Sequence, residues 1–398
     1  MRTPEAVRLD DGHAAASGRA VRRECSGPMG LTSTTTVAVA VCCTMLGIAL
    51  VVWQWPRLSG LGWRPVLGRV GLLCAVQLLL FSTVGLAANK SFLFYGSWAD
   101  LFGRQDGVGV LGAESAVSPG VKVAGKQKVD VPGAGKPSIG GEVQKVSVQG
   151  ERSRIVTPAY VYLPPEYFQK GYETKSFPVT VVLTGFPGTA ENLIKGLHYP
   201  KTAWTLSKQH KTQPMILVMM RPTIAPPRNT QCIDIPGGPQ TETFFADDLR
   251  KAISGTYRVG TKPRNWGFIG DSTGGYCALK IALHHPEAYA AGVGLSADYK
   301  PEVDLQSGDL FHGNRHEEKR SDLLWSLDHL PQGNSSFLVT TSKQGESNLK
   351  ETQKFIAKVK KPAHVSSITL ASGGHNFNTW LREIPPSLEW LSARLDAN

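Results

Sequence analysis

The stretch from Asn265 to His285, NWGFIGDSTGGYCALKIALHH, decides the fold. It places Gly270, Ser272 and Gly274 in the order Gly-x-Ser-x-Gly, after a short apolar run and before a segment with helical composition. Glycines two residues to either side of a serine let a strand and a helix approach closely and leave the hydroxyl exposed at a sharp turn. The stretch therefore predicts strand, turn and helix, with Ser272 as a candidate nucleophile.

Apolar runs alternate with amphipathic segments on both sides of this turn. Strands are expected at residues 141–150, 155–164, 177–185, 214–222, 265–272, 290–297, 335–342 and 366–374, and helices at 202–209, 243–257, 274–285, 321–330 and 348–360, followed by a final helix that ends at Leu395. Such alternation is typical of a mostly parallel sheet covered by helices on both faces. With the serine turn, it predicts the α/β class and an α/β-hydrolase fold.

A serine hydroxyl needs a general base, which this fold supplies from a loop after the last strand. His375 lies in ITLASGGHNFNTW, directly after the last expected strand, and two glycines precede it. His284 and His285 end the helix that follows the serine, so they fit less well. We predict His375 as the base.

The acid that orients this histidine is expected after the preceding strand, SSFLVTTS. The following segment, SKQGESNLKE, offers Glu346 in a loop and Glu351 in a helix. We favour Glu346 because it is nearer to the end of the strand, and Glu351 stays the alternative. Two backbone N–H groups should stabilise the developing oxyanion, one from Thr273 and one from Phe186 in the early loop VVLTGFPGT.

From about Ile155 onward the chain resembles the esterase family that includes S-formylglutathione hydrolase, feruloyl esterases and the mycolyltransferases of the mycobacterial envelope. The resemblance lies in VVLTGFPG, GDSTGGYCALKIAL, SKQGE and SGGHNFNTW. It implies Ser272 as nucleophile, His375 as base and Glu346 as acid, with Phe186 and Thr273 as oxyanion donors. The first hundred residues, which include NKSFLFYGSWADLFG, resemble the N-terminus of membrane-tethered esterases of the same family.

Two uncharged apolar runs, Leu31 to Trp55 and Val70 to Asn89, are each long enough to cross a bilayer as a helix. The loop between them contains Arg57, Arg64 and Arg69 and no acid, so the positive-inside rule makes it cytoplasmic. The C-terminal domain would then face away from the cytoplasm.

We divide the chain into four parts. They are an N-terminal extension at 1–30, two transmembrane helices at 31–89, a juxtamembrane segment and linker at 90–140, and the catalytic domain at 141–398. If translation starts at Met29, most of the N-terminal extension is not made. The linker is predicted because residues 104–140 are rich in Gly, Val, Ser and Lys and show no sustained periodicity.

The formal net charge of +11 is dispersed and forms no cluster that would bind phosphates, so no nucleic-acid partner is expected. Neither a metal site nor a cofactor is predicted, because no Cys or His spacing suggests one. In an oxidising compartment, Cys232 and Cys277 could form a disulfide; two separate thiols are the alternative.

These features predict a membrane-anchored, extracytoplasmic serine esterase that forms an acyl-enzyme with a small-molecule, lipid or glycan ester. A close alternative is an acyltransferase of the mycolyltransferase type that acts on envelope lipids or glycans. A serine peptidase on this fold is less favoured, because the sequence lacks a second large domain. A non-catalytic envelope binding protein on the same fold is the alternative of a different class.

Overall fold

The computed structural model describes residues 30–31, 33–60, 62–92, 98, 109–110, 120–226 and 228–397. The strands are β1 Gly109–Val110, β2 Gly120–Gln127, β3 Glu142–Gln149, β4 Ile155–Leu163, β5 Val179–Leu183, β6 Ile216–Met220, β7 Trp266–Asp271, β8 Ala291–Leu295, β9 Ser336–Ser342 and β10 His364–Leu370. They form one sheet in the order β10-β9-β8-β7-β5-β6-β4-β3-β2, and β1 pairs with β4.

The helices comprise two long apolar N-terminal helices and shorter helices, of which those after β5 cover both faces of this sheet. They are α1 Thr34–Gln54, α2 Trp63–Phe92, α3 Pro137–Gly140, α4 Ala190–Lys195, α5 Tyr199–Lys208, α6 at 241–256 with a π-helical stretch Phe244–Asp248, α7 Thr273–His284, α8 Arg315–Ser321, α9 Leu323–His329, α10 Leu349–Lys358 and α11 Phe377–Ser392. Short 3₁₀ turns lie at Trp55–Leu58, Pro165–Phe168 and Pro263–Asn265.

The part of the sheet from β6 to β10 is parallel, and β2, β3 and β4 extend it with antiparallel strands. Successive side chains of a strand point to opposite faces, so Phe268 packs in one apolar cluster and Ile269 in the other. Burial on both faces explains why β5, β6 and β7 are continuous apolar runs. This architecture confirms the predicted α/β fold class, and the carboxyl ends of β5 and β7 to β10 share one edge.

Part of the predicted linker is a strand. Residues 120–127 form β2 and pair with β3 in antiparallel register, with an irregularity between Val123 and Gly125. Edge strands need little apolar alternation, because solvent faces much of their surface. The pattern GVKVAGKQ therefore gave a weak strand signal. Strand β1, which pairs with β4, and the short helix α3 also fall within the predicted linker, so its described residues carry more regular structure than the sequence predicted. Residues 93–97, 99–108 and 111–119 lie outside the described residues.

The two apolar helices α1 and α2 pack side by side through small and hydroxyl residues. Thr44 and Thr83 share a hydrogen bond of 2.9 Å between their Oγ1 atoms, and Lys90 Nζ donates to Thr34 Oγ1 at 2.8 Å. Both helices are long and apolar enough to cross a membrane, and most of their side chains are not buried within the protein. Residues 1–29 of the N-terminal extension lie outside the described residues.

Helix α7, which follows the serine turn, is fixed at its far side by a disulfide and a buried ion pair. Cys277 is bonded to Cys232, which confirms the disulfide that the sequence left open. Lys280 is fully buried; its Nζ donates to the Cys232 carbonyl at 2.8 Å and forms a short ion pair with Glu242. Burial alone would raise the pKa of Glu242, but Lys280 and neighbouring His and Arg side chains hold it well below its usual range.

Candidate active site

Ser272 occupies the turn between β7 and α7 with a backbone conformation of φ 53° and ψ −123°. A side-chain-bearing residue in this region is strained by about 1–3 kcal/mol, so its surroundings must hold it there. Two hydrogen bonds do so: Ser272 N–H donates to Leu295 O at 2.9 Å, and Ser272 O accepts from Tyr276 N–H at 2.9 Å. The sequence pattern predicted this turn, and the structure places Ser272 in it.

Gly270 and Gly274 let the strand and helix meet at this turn. A Cβ atom on Gly270 would lie 2.3 Å from the Gly274 backbone, and one on Gly274 would lie 2.5 Å from Leu183 O. Both distances are far below van der Waals contact, and the neighbours are backbone atoms that cannot rotate away. Side chains at either position would therefore push α7 away from the sheet.

Two backbone N–H groups near Ser272 have no hydrogen-bond acceptor among the described residues. Thr273 is the first residue of α7, where a helix leaves its N–H groups unpaired and its dipole favours negative charge. Phe186 lies in the loop after β5, which is folded back by a 2.8 Å hydrogen bond from Gly188 N–H to Gly185 O. The loop meets the serine closely, since a Cβ on Gly185 would lie 2.9 Å from Ser272 Cβ.

His375 lies between β10 and α11, as the sequence predicted. His375 is exposed to solvent as a whole, but one side of its imidazole ring packs edge-on against Trp380, with the ring centres 5.3 Å apart. Loss of water on the buried side lowers the pKa of His375. The imidazole is thus neutral, and able to accept a proton, to a lower pH than a fully solvated histidine.

Glu346 lies in the loop after β9, which touches the His375 loop directly. Gly373 N–H donates to Gln344 O at 3.0 Å, and a Cβ on Gly345 would lie 2.4 Å from Gly373 O. Burial raises the pKa of Glu346, and a hydrogen bond from Ser296 partly opposes this change. Glu351, the alternative acid, lies on α10 and faces Lys354 at 3.8 Å.

Ser296 connects the acid to the helix that follows His375. Its hydroxyl donates a short hydrogen bond to Glu346 Oε1 and accepts one of 2.8 Å from Trp380 Nε1. Glu346 Oε2 has no hydrogen-bond partner among the described residues. Neither Ser272 nor Glu346 is hydrogen-bonded to His375 in this part of the chain, so the direct Glu346 to His375 contact stays a prediction.

Sequence reasoning missed Ser296 and Trp380. Ser296 directly follows β8, next to the Leu295 carbonyl that holds Ser272, and Trp380 lies one helical turn into α11. The position of Ser296 at a strand end was the available signal, because side chains at this edge of a parallel sheet gather around a site. Among the described residues, no group of three or more His, Cys, Asp or Glu is arranged to hold a metal ion.

Glu383 is a fully buried carboxyl behind these loops. Its Oε2 accepts from Thr340 Oγ1 at 2.8 Å, and Thr340 Oγ1 in turn accepts from Ser296 N–H at 3.0 Å. Burial, together with the nearby Glu346, raises the pKa of Glu383 to about 8. Glu383 is therefore mostly protonated at neutral pH, so it adds little negative charge beneath the site.

Comparisons with known proteins bear on the same segments. Residues 155–391 match the model of the family described as "Putative esterase". Three solved structures share the fold: S-formylglutathione hydrolase of Agrobacterium tumefaciens, a ferulic acid esterase, and the fluorophosphonate-binding serine hydrolase F of Staphylococcus aureus.

These structural likenesses are distant in sequence. The three proteins are 18%, 19% and 16% identical to the chain, with TM-scores of 0.54, 0.53 and 0.50. The matches cover 69%, 64% and 62% of this chain and 100%, 98% and 97% of theirs, respectively. At these identities the likeness shows the fold.

An uncharacterised protein of Corynebacterium glutamicum is 25% identical over 247 residues, which is 59% of this chain and 57% of that protein. The match thus spans little more than half the length of this relative.

The ionisation of Glu383 predicts how stability depends on pH. The pKa of Glu383 in the folded protein, about 8, lies above its usual value of 4.5. Its favourable contribution to the free energy of unfolding is therefore complete below pH 4.5 and is lost as the pH rises through 8. Glu383→Gln cannot ionise. We expect its unfolding free energy, relative to wild type, to increase by a few kcal/mol between pH 5 and pH 9, measured by denaturant titration of the full chain in detergent.

Glu389→Gln is the matched control, because Glu389 lies on the same helix with a partly exposed carboxylate. Its stability relative to wild type should change little over this range. If Glu383→Gln and Glu389→Gln show the same pH dependence, the high pKa of Glu383 is wrong.

Proposed function

Because the chain belongs to the esterase family, we propose that it is a serine esterase in which Ser272 attacks the carbonyl carbon of a carboxylic ester. Family membership confirms the resemblance that the sequence predicted. The observation that carries the proposed role of Ser272 is its strained turn, which lies at the start of α7 and against the loop that precedes Phe186. Strain of this kind is kept where the surrounding fold maintains it, commonly at functional sites.

In the proposed first step, the Ser272 oxygen bonds to the carbonyl carbon while His375 accepts the hydroxyl proton. The carbonyl oxygen becomes an anion, which the N–H groups of Phe186 and Thr273 stabilise. Collapse of this intermediate expels the alcohol, which takes the proton from His375. Ser272 is left as an acyl ester.

In the second step, water attacks the acyl-enzyme and gives up a proton to His375, and the acid is released as Ser272 recovers its proton. Glu346 would orient the imidazole and stabilise its charged form. The contact between the Glu346 and His375 loops supports this choice over Glu351. Hydrogen bonds from the base are often long in unliganded enzymes and shorten when substrate binds.

The proposal predicts graded losses of activity. With p-nitrophenyl butyrate and the full chain in detergent, Ser272→Ala and His375→Ala should each lower kcat by roughly 10⁴-fold or more, because each removes a member of the acylating unit. Glu346→Gln should lower kcat by roughly 10²–10⁴-fold. The matched control Glu351→Gln should stay within about twofold, as expected for a partly exposed surface carboxylate.

Two outcomes would contradict the assignments. Wild-type kcat in folded Ser272→Ala would rule out the nucleophile. A large loss in Glu351→Gln with normal activity in Glu346→Gln would identify Glu351 as the acid.

We also propose that α1 and α2 anchor the protein in a membrane, with the catalytic domain on the extracytoplasmic side. The sequence prediction placed three arginines in the connecting loop, but the structure leaves only Arg57 there and puts Arg64 and Arg69 in the first two turns of α2. All three still lie at the same end of the helix pair, which supports a cytoplasmic position for that end by the positive-inside rule. The Cys232 to Cys277 disulfide supports an oxidising compartment for the domain. An enzyme held beside a bilayer is suited to small-molecule, lipid or glycan esters that occur there.

This topology is tested by labelling intact cells with a membrane-impermeant, amine-reactive biotin ester. Exposed lysines such as Lys195, Lys251 and Lys354 lie on the catalytic domain, so the protein should be labelled without permeabilisation. A cytoplasmic protein of the same cells serves as the control for leakage. Labelling that appears only after the cells are permeabilised would place the domain in the cytoplasm.

A further inference from the structure

Asp271 directly precedes the serine, and its side chain contacts the loop that carries Phe186. The residue is fully buried at the end of β7. Its Oδ2 accepts a 2.8 Å hydrogen bond from Gly185 N–H, which joins the end of β7 to the loop after β5. Its Oδ1 has no hydrogen-bond partner among the described residues. The proposed function gives this carboxyl no role.

The hydrogen bond to Asp271 acts on the peptide next to Phe186. On one side, Gly185 N–H is bound by Asp271; on the other, Gly185 O accepts from Gly188 N–H at 2.8 Å. The Gly185 carbonyl and the Phe186 N–H belong to the same planar trans peptide bond, so they point in opposite directions. Fixing Gly185 at both ends therefore fixes the direction of the Phe186 N–H.

We propose that Asp271 is a positioning residue, whose buried carboxyl sets the orientation of the Phe186 N–H in the oxyanion hole by binding Gly185 N–H. This inference rests on the proposed esterase function and extends it to a residue inside the serine motif. The carboxyl need not be charged to act. Burial raises the pKa of Asp271 to about 7, and its protonated form still has an oxygen that accepts from an N–H.

Close packing around Asp271 restricts the position of its Oδ2 atom, which accepts the hydrogen bond from Gly185 N–H. A Cβ on Gly185 would lie 3.1 Å from Asp271 Oδ2 and 2.9 Å from Ser272 Cβ, so the loop, the carboxyl and the nucleophile are in close contact. Two titratable side chains from neighbouring helices, Tyr199 of α5 and Glu383 of α11, lie in the same interior, and both are fully buried. A lost acceptor at 271 would leave the Gly185 N–H unpaired in this interior, which favours a shift of the loop.

The test compares Asp271→Ala, which removes the acceptor, with Asp271→Asn, which keeps an oxygen at the same distance. Oxyanion stabilisation acts in the transition state, so Asp271→Ala should lower kcat for p-nitrophenyl butyrate by about 10–10²-fold and change KM by less than about threefold. Its affinity for an alkyl trifluoromethyl ketone, which forms an oxyanion on Ser272, should fall by a similar factor. Asp271→Asn should keep kcat and this affinity within about fivefold of wild type.

Asp248→Ala is the matched control for loss of a buried aspartate. Asp248 also binds backbone N–H groups, those of Arg152 and Ser153 at 2.9 and 2.8 Å, but in the turn between β3 and β4. The Asp248→Ala variant should have a lower melting temperature than wild type and an unchanged kcat. If Asp271→Ala does not reach a folded state, Asp271→Leu fills the same space without an acceptor and is measured instead.

Each outcome decides the proposal. If folded Asp271→Ala or Asp271→Leu keeps the wild-type kcat and inhibitor affinity, the proposal is overturned. A loss of kcat of more than tenfold in Asp271→Asn would also overturn it, because it would assign the role of Asp271 to its charge. If Asp248→Ala loses as much kcat as Asp271→Ala, the proposal is also overturned, because the loss would then reflect lower stability of the protein in general. Absence of ester hydrolysis in the wild-type chain would contradict the proposed function itself.

Discussion

A residue with a side chain at φ 53° and ψ −123° is unfavourable in an isolated chain, and Ser272 is held in this conformation by its hydrogen bond to Leu295 O and by the packing of β7 and α7. The strand before it is buried on both faces, and glycines at 270 and 274 allow α7 to cross close to the end of β5. On the far side of α7, the Cys277 disulfide and the buried Lys280 ion pair fix the helix to the segment at 232–242. The position of the Ser272 side chain thus depends on packing well away from it.

The neighbouring loops are linked to the same turn by buried polar contacts. Leu295 O holds the Ser272 backbone, and the next residue, Ser296, binds both Glu346 and Trp380. On the other side, Asp271 binds the loop that carries Phe186. Buried polar groups cost free energy unless they are paired, so these contacts resist alternative loop positions. Each part of the proposed site is thereby connected to the ends of β7 and β8.

Much of this arrangement could be predicted from the sequence, because it depends on local patterns. The Gly-x-Ser-x-Gly stretch indicated the turn at Ser272, and alternating strands and helices predicted the parallel sheet; the order of segments placed His375 after the last strand. Edge strand β2 was missed because its exposed side chains lack an apolar period. Ser296 and Asp271 were missed because their partners, at 346 and 185, are distant in sequence and meet only in the folded protein.

In the proposed reaction, Ser272 attacks a carbonyl carbon, and two backbone N–H groups then bind the carbonyl oxygen. The most direct measurement is a crystal structure of the full chain after reaction with a fluorophosphonate. We predict phosphorus bonded to Ser272 Oγ, with the phosphoryl oxygen within hydrogen-bond distance of Phe186 N and Thr273 N. Phosphorus on another residue, or a phosphoryl oxygen turned away from both N–H groups, would contradict the account.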